Sequence, residues 1–196
     1  VCANRIYVHA KVYDAFAAKL VAAVEAMKVG DGFAEGVRIG PLIDQKAVAK
    51  VEEHIADAVA KGAKILTGGK RHALGQSFFE PTVIANVTSN MAVAIEETFG
   101  PLAPLFRFET EDEVVALAND TEFGLVSYAF TSDLKRGLRL VETLDTGMTG
   151  LNTGLVSNAA APFGGVKASG LGREGGPEGI HEYLETKYVM TPDPLG

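Results

Sequence analysis

The densest chemistry in the chain stands at Glu96-Glu97-Thr98-Phe99-Gly100-Pro101. Two adjacent carboxylates precede an aromatic ring, a glycine and a proline. Pro101 steers Gly100 away from helical geometry, so the backbone bends and holds Phe99 at the bend. A carboxylate placed there can accept two hydrogen bonds from a ribose diol, and a neighbouring aromatic can flank a flat ring. The same residues also make an ordinary surface turn with a packed phenylalanine. Chemistry alone leaves both readings open.

Other chemistry is weaker. Gly170-Leu171-Gly172-Arg173-Glu174-Gly175 matches the dinucleotide fingerprint by letter. That fingerprint needs a strand just before it, a helix opening inside it and an acidic residue about 20 positions on. Lys167-Ala168-Ser169 precedes it instead, so a structural glycine loop is expected. His9, His54, His72 and His181 lack zinc spacing, and the single cysteine, Cys2, supplies no thiolate pair, so no metal is expected. His54, between Glu53 and Ile55 on a predicted helix, is expected to be solvated. No Gly-x-Ser-x-Gly elbow anchors a serine triad.

The composition bounds the partners. With 196 residues, 47% of them hydrophobic and 22% charged, the chain is an ordinary globular one with room for a core. A net charge of -7 argues against nucleic acid and anionic membranes as partners. No apolar run approaches the roughly 18 residues of a membrane span. One cysteine and no visible signal peptide make a cytoplasmic setting the default. The opening Val1-Cys2-Ala3-Asn4-Arg5, without a methionine and running straight into a strand, reads as the start of a fragment.

Helices and strands alternate along the chain. Val12, Phe16, Leu20, Val24 and Met27 predict a helix over 11–28, stopped by Gly30-Asp31-Gly32. Asp44 is a good N-cap for a second helix marked by Val48, Val51, Ile55 and Val59 and closed by Gly62. Strands are expected at 64–67, 81–84, 103–108, 126–130 and 147–151. Thr110 and Glu113 form a capping box, and Leu134, Leu138 and Val141 mark another helix. The alternation implies an α/β fold, a largely parallel sheet flanked by helices. From Asn152 to Gly176 glycine is dense and periodicity is lost, and a long irregular stretch of this kind is usually functional. Tyr183–Val189 reads as a terminal strand that could pair with another chain.

Four segments together resemble the aldehyde dehydrogenase superfamily. Glu97-Thr98-Phe99-Gly100-Pro101 is similar to its E-x-F-G-P segment, and Asn119-Asp120-Thr121-Glu122-Phe123-Gly124-Leu125 to N-x-T-x-[FY]-G-L. Pro162–Gly170 with Gly172-Arg173-Glu174 resembles P-F-G-G-x-K-x-S-G-x-G-R-E, and Ile39-Gly40-Pro41-Leu42 is a fourth match. They stand in family order across the whole chain. Val1–Arg5, Asn152–Asn158 and Tyr183–Tyr188 resemble the bacterial succinate-semialdehyde branch most closely.

The resemblance implies roles. In the family a cysteine thiolate attacks the aldehyde, the thiohemiacetal gives hydride to NAD or NADP, and an activated water hydrolyses the thioester. The nucleophile is expected directly before Val1, followed in this branch by V-C-A-N-R, so Cys2 is not the nucleophile. Cys2 is either a small buried side chain or the partner of the nucleophile in a reversible disulfide. Glu97 matches the position that hydrogen-bonds the nicotinamide ribose, and Phe99 the one that borders the nicotinamide. Ser157 matches a position that helps bind the substrate's distal carboxylate, where a hydroxyl donates without adding charge. Phe163 matches an aromatic of the substrate tunnel, and core packing is its equal alternative.

The cofactor fold, the general-base glutamate and the oxyanion asparagine are all expected upstream. The resemblance therefore implies a catalytic domain over 1–181 lacking its N-terminal cofactor-binding partner, and an oligomerisation strand and tail over 182–196. It implies a homo-oligomer, dimer or tetramer, acting on a small aldehyde, with succinate semialdehyde oxidised to succinate. This polypeptide alone is expected to be inactive. Glutarate semialdehyde is the alternative substrate, and a truncated non-catalytic assembly module the alternative role. The choice between NAD and NADP is not legible here.

Overall fold

The computed structural model describes residues 2–192 and 196. Val1, before which the nucleophile is expected, and 193–195 of the expected tail lie outside them. The chain forms two compact units, one spanning Cys2–Asp120 and the other Thr121–Gly196.

The first unit runs β1 (Ile6–His9), α1 (Tyr13–Glu25), β2 (Lys28–Val29), β3 (Val37–Ile39), α2 (Gln45–Ala60), β4 (Lys64–Thr67), β5 (Thr82–Val87), α3 (Ala92–Ile95), β6 (Leu102–Phe108) and α4 (Glu111–Asn119). Its main sheet has the order β1-β6-β5-β4. β1, β6 and β5 are parallel, and β4 is antiparallel to β5 at the edge. The expected α/β class with a largely parallel sheet is what the chain adopts.

β5 is buried on both faces, which is why Thr82-Val83-Ile84-Ala85 reads as a continuous apolar run rather than an alternation. Val83 and Ala85 pack with Val8, Leu105 and the α1 residues Tyr13, Ala17 and Val24. Ile84, Val87 and Phe106 pack on the opposite face with Ala58 of α2 and with Met91 and Val93. Ile84 and Val87 share a face although they stand three positions apart, where regular alternation would put them on opposite faces. Asn86, at φ 58, and a register shift between Ile84 and Val87 absorb the extra residue. The Tyr13 hydroxyl accepts from the Asn86 N–H at 2.9 Å and donates to the Leu105 carbonyl at 3.1 Å, so one phenol ties α1 to β5 and β6.

That phenol also corrects the expected α1 stripe. Tyr13, Ala17 and Val24 are buried, whereas Val12, Phe16 and Met27 are exposed. Val24 is buried as expected and Leu20 packs against the same core, but Tyr13 and Ala17 take the inward places expected of Val12 and Phe16. In α2 the buried line is Val48, Val51, Ile55 and Ala58, and Val59 lies outside it. His54 is on the inward side as well, 1% exposed, so its expected solvation is wrong. It stands three residues after Val51, on the same helical face. Asp44 caps α2 through the Ala47 N–H at 2.8 Å, and the Thr110–Glu113 capping box on α4 is present in both directions.

The second unit contains β7 (Phe123–Gly124), β8 (Val126–Ala129), α5 (Leu134–Thr143), β9 (Met148–Leu151) and β10 (Val166–Lys167). β8 and β9 are parallel and β10 is antiparallel to β7. α5 sets Gly137 against Leu151 and leaves Leu134 and Leu138 exposed, so its predicted apolar stripe is not the face that packs. A two-residue strand, β10, does precede the Gly170–Gly175 loop, but it is antiparallel and no α-helix opens inside the loop.

The expected strand over Tyr183–Val189 does not form within the chain. A 3-10 helix covers Glu178–Tyr183, and no ladder follows it. A strand exists through its partner's hydrogen bonds, and this stretch pairs with no other described residue. Tyr183, Leu184, Tyr188, Val189 and Met190 remain exposed. Among the described residues no helix is long and apolar enough to cross a membrane.

Ile84 and Ile65 test the placement of the core. Ile84 is 0% exposed and Ile65 43%. Ile84→Ala should lower the unfolding free energy by about 2–5 kcal/mol, and Ile65→Ala by far less. Urea denaturation of the full-length protein checks the contrast, and equal losses would contradict it.

Candidate functional site

The Glu96–Pro101 segment lies in the crossover between the parallel strands β5 and β6. A parallel connection must return the length of the sheet, and here α3 and an extended stretch make the return. α2 holds that path along one face, at residues 50, 54, 57 and 61, which recur every three to four positions. The Lys61 ammonium donates to the Asn90 carbonyl at 2.7 Å. The Asp57 carboxylate accepts from the Ala92 N–H at 2.7 Å and pairs with Lys61 at 2.7 Å. The His54 Nδ1 lies 2.9 Å from the Thr98 hydroxyl. Lys50 donates to the Glu97 carbonyl at 2.7 Å and stands 3.8 Å from the Glu96 carboxylate. A methyl group on Gly100 would collide with the Val51 side chain, so only glycine lets the bend seat against α2.

Thr98 is 5% exposed and faces inward, while Glu97 and Phe99 on either side are exposed. Thr98 is fixed to His54 on the inward side, and its two neighbours are left on the outward side. Phe99 is 77% exposed and sits at φ 52, in the left-handed region that disfavours a bulky side chain. Such a residue is strained by about 1–3 kcal/mol, and surrounding contacts hold it there. The Glu97 carboxylate and the Phe99 ring are thus both exposed on a backbone clamped from behind, so the phenylalanine of this bend is not a packed one.

Hydrogen bonding and charge hold the clamp in its ionised form. The Lys61 hydrogen bond, then the Ala92 N–H, keep the Asp57 carboxyl below the ordinary carboxylate range.

Cys2 is exposed in the loop ahead of β1, so the buried-thiol reading does not hold in this chain. Arg5 fixes the end of that loop. Its guanidinium donates to the carbonyls of Leu117 and Ala118, both at 2.9 Å, and to the Tyr7 hydroxyl at 3.0 Å. A cation on the last carbonyls of α4 is favoured there. Burial raises the Tyr7 phenol pKa against the lowering pull of Arg5.

Ser157 and Phe163 belong to the second unit. Ser157 is exposed in the irregular stretch after β9 and Phe163 is half-buried. Asn152, at φ 55, opens that stretch and binds the Thr131 backbone twice, accepting from its N–H at 2.8 Å and donating to its carbonyl at 2.9 Å. Phe163 exchanges two backbone hydrogen bonds with Glu174, at 2.7 and 2.8 Å. Arg173 donates to the carbonyls of Gly165 and Gly172, both at 2.7 Å, closing the glycine loop beneath Phe163. The structure thus groups Glu97 with Phe99 in one unit and Ser157 with Phe163 in the other. Among the described residues no cluster of three or more His, Cys, Asp or Glu could hold a metal ion.

The sequence model described as "Aldehyde dehydrogenase family" matches residues 1–189. The chain belongs to the aldehyde dehydrogenase family. It is 63% identical to a glutarate-semialdehyde dehydrogenase of Pseudomonas aeruginosa, over 96% of this chain and 39% of that protein. It is 62% identical to a 3-sulfolactaldehyde dehydrogenase of Pseudomonas putida, with the same shares of 96% and 39%. It is 60% identical to an Escherichia coli succinate-semialdehyde dehydrogenase named for NADP(+), again over 96% and 39%. A crystal structure of succinate-semialdehyde dehydrogenase from Burkholderia pseudomallei superposes with a TM-score of 0.92 at 63% identity, covering 93% of this chain and 38% of that one. The chain therefore spans about two fifths of the length of the curated aldehyde dehydrogenases it matches.

Sequence reasoning singled out Glu97 and Phe99 as candidates and did not anticipate the α2 residues behind them. The signal for His54 was its position on the apolar stripe, where a polar residue needs a buried partner.

Two outcomes follow for the full-length aldehyde dehydrogenase. Gly100→Ala should destabilise it by about 1–3 kcal/mol through overpacking, and adding Val51→Ala should recover part of that loss. Thermal unfolding of the two single variants and the double variant checks this, and strict additivity would contradict it. Asp57 has a lowered folded-state pKa, so its contribution is present above the unfolded value of about 3.9 and is lost as pH falls through the folded one. Asp57→Asn should therefore lower Tm near neutrality, with the gap to the parent closing in acid. A gap that stays constant with pH would contradict that assignment.

Proposed function

We propose that this chain contributes the nicotinamide-facing and substrate-facing parts of an NAD- or NADP-dependent semialdehyde dehydrogenase. The observation that carries the reading is the exposed Glu97–Phe99 pair on a segment clamped to α2. The bound cofactor supplies the hydride acceptor. Glu97 accepts the ribose hydroxyls and Phe99 limits where the nicotinamide can lie. Cys2 is not assigned as the nucleophile, a role that the resemblance of Val1–Arg5 would give to an upstream residue.

The substrate is a short aldehyde carrying a distal anion. Succinate semialdehyde, glutarate semialdehyde and 3-sulfolactaldehyde, named for the three relatives above, all have that form. Ser157 donates its hydroxyl to the anion, and the Phe163 ring packs on the carbon chain. We assign succinate semialdehyde as the substrate, from the likeness of Asn152–Asn158 to that branch. The 63% identity to a glutarate-semialdehyde dehydrogenase supports the C5 substrate as a second reading. Tyr183–Met190, apolar and exposed, is the edge through which copies would pair into a dimer or tetramer.

Steady-state assays of the full-length enzyme test this. Glu97→Ala should raise the KM for NAD(P) by about tenfold or more, and Ser157→Ala should raise the aldehyde KM while sparing that of the cofactor. The C4 semialdehyde should give a higher kcat/KM than the C5 one. The reverse order moves the assignment to glutarate semialdehyde, and an unchanged cofactor KM in Glu97→Ala removes the site. The 196-residue chain alone should show no dehydrogenase activity.

A further inference from the structure

His54 is a polar ring, 1% exposed, set between Val51 and Ile55 on the packed side of α2. An apolar residue would fill that place without needing partners. The partners His54 has both lie in the Glu96–Pro101 segment: Nδ1 is 2.9 Å from the Thr98 hydroxyl, and Nε2 is 3.5 Å from the Glu96 carboxylate. Neither ring nitrogen touches the outward side where Glu97 and Phe99 stand.

The value of such a bond is directional. Packing is non-directional, so by itself it does not choose which side chain of a segment faces the helix. A hydrogen bond to Thr98 picks one phase, with Thr98 inward and Glu97 and Phe99 outward. Phe99 is also kept at φ 52, from which an unanchored aromatic residue would relax. We propose that His54 is a positioning residue for the cofactor, setting nicotinamide affinity through Thr98 without touching the bound molecule. The proposal rests on the reading of Glu97 and Phe99 as the nicotinamide-side residues.

The test uses the full-length enzyme, with KM for NAD(P) and for the aldehyde measured separately in His54→Leu, His54→Asn, Thr98→Val and Glu97→Ala. His54→Leu and Thr98→Val should each raise the cofactor KM about tenfold while the aldehyde KM stays within about twofold. Combining them should be no worse than either alone, because they break one bond. His54→Asn places an amide near the Nδ1 position and should recover most of the loss. If Glu97→Ala raises the cofactor KM while Thr98→Val and His54→Leu leave it unchanged, His54 only fills space and the proposal is overturned. Equal increases in both KM values, tracking a drop in Tm, overturn it too. An unchanged cofactor KM in Glu97→Ala means that the nicotinamide reading itself has failed, and the proposal falls with it. If His54→Leu does not fold, the nearly isosteric Thr98→Val decides alone.

Discussion

The first unit depends on the fit between one helix face and one crossover. α2 presents Lys50, Val51, His54 and Asp57 along a single side, with Lys61 just past its end, and the path from Asn90 to Gly100 meets all five. A connection between parallel strands has no ladder of its own, so its backbone groups need partners elsewhere. Here Lys61, Asp57 and Lys50 bind backbone groups of the path, the buried imidazole binds the Thr98 side chain, and Gly100 packs on Val51. The arrangement explains how an exposed phenylalanine can stay in a backbone region it disfavours. The strain is borne by a rigid element and not by the loop.

The second unit meets the same problem without a helix behind it. Between β9 and the 3-10 helix the chain has only the two-residue β10, and it is ordered by local ties instead. Asn152 grips Thr131, Arg173 gathers the carbonyls of Gly165 and Gly172, and Phe163 and Glu174 exchange backbone bonds. Gly147 and Gly164 approach so closely that a side chain on Gly147 would strike the Gly164 carbonyl. Glycine is dense in this stretch because backbone packs directly on backbone. The two units therefore present their outward residues by different means: a helix face in one, a loop closed on itself in the other.

What the sequence revealed follows from the range of the forces involved. Caps at Asp44 and Thr110–Glu113 are local, so they were legible and are in place. The strands at 64–67, 103–108 and 126–130 were legible because their apolar runs lie between turn residues. The start of the α1 face was misjudged by one residue, where Tyr13 is held by Leu105 and Asn86, far along the chain. The burial of His54 depends on Thr98, which no local pattern announces. The terminal stretch was read as a strand that could pair with another chain, and within the chain it has no ladder. Glu97 and Phe99 were recognised by family likeness, since composition does not separate a ligand-facing bend from a plain turn.

The pairing of β1 with β6 sets a timetable for synthesis. Ile6 is aligned with Leu105 and His9 with Phe108, so β1 has no sheet partner until about a hundred further residues have been made. At about 5–20 residues per second, the ribosome needs roughly 5–20 seconds to deliver them. Through that interval Ile6-Tyr7-Val8 stands on the nascent chain without its β6 partner. One strand of the sheet thus waits on the far end of its own unit.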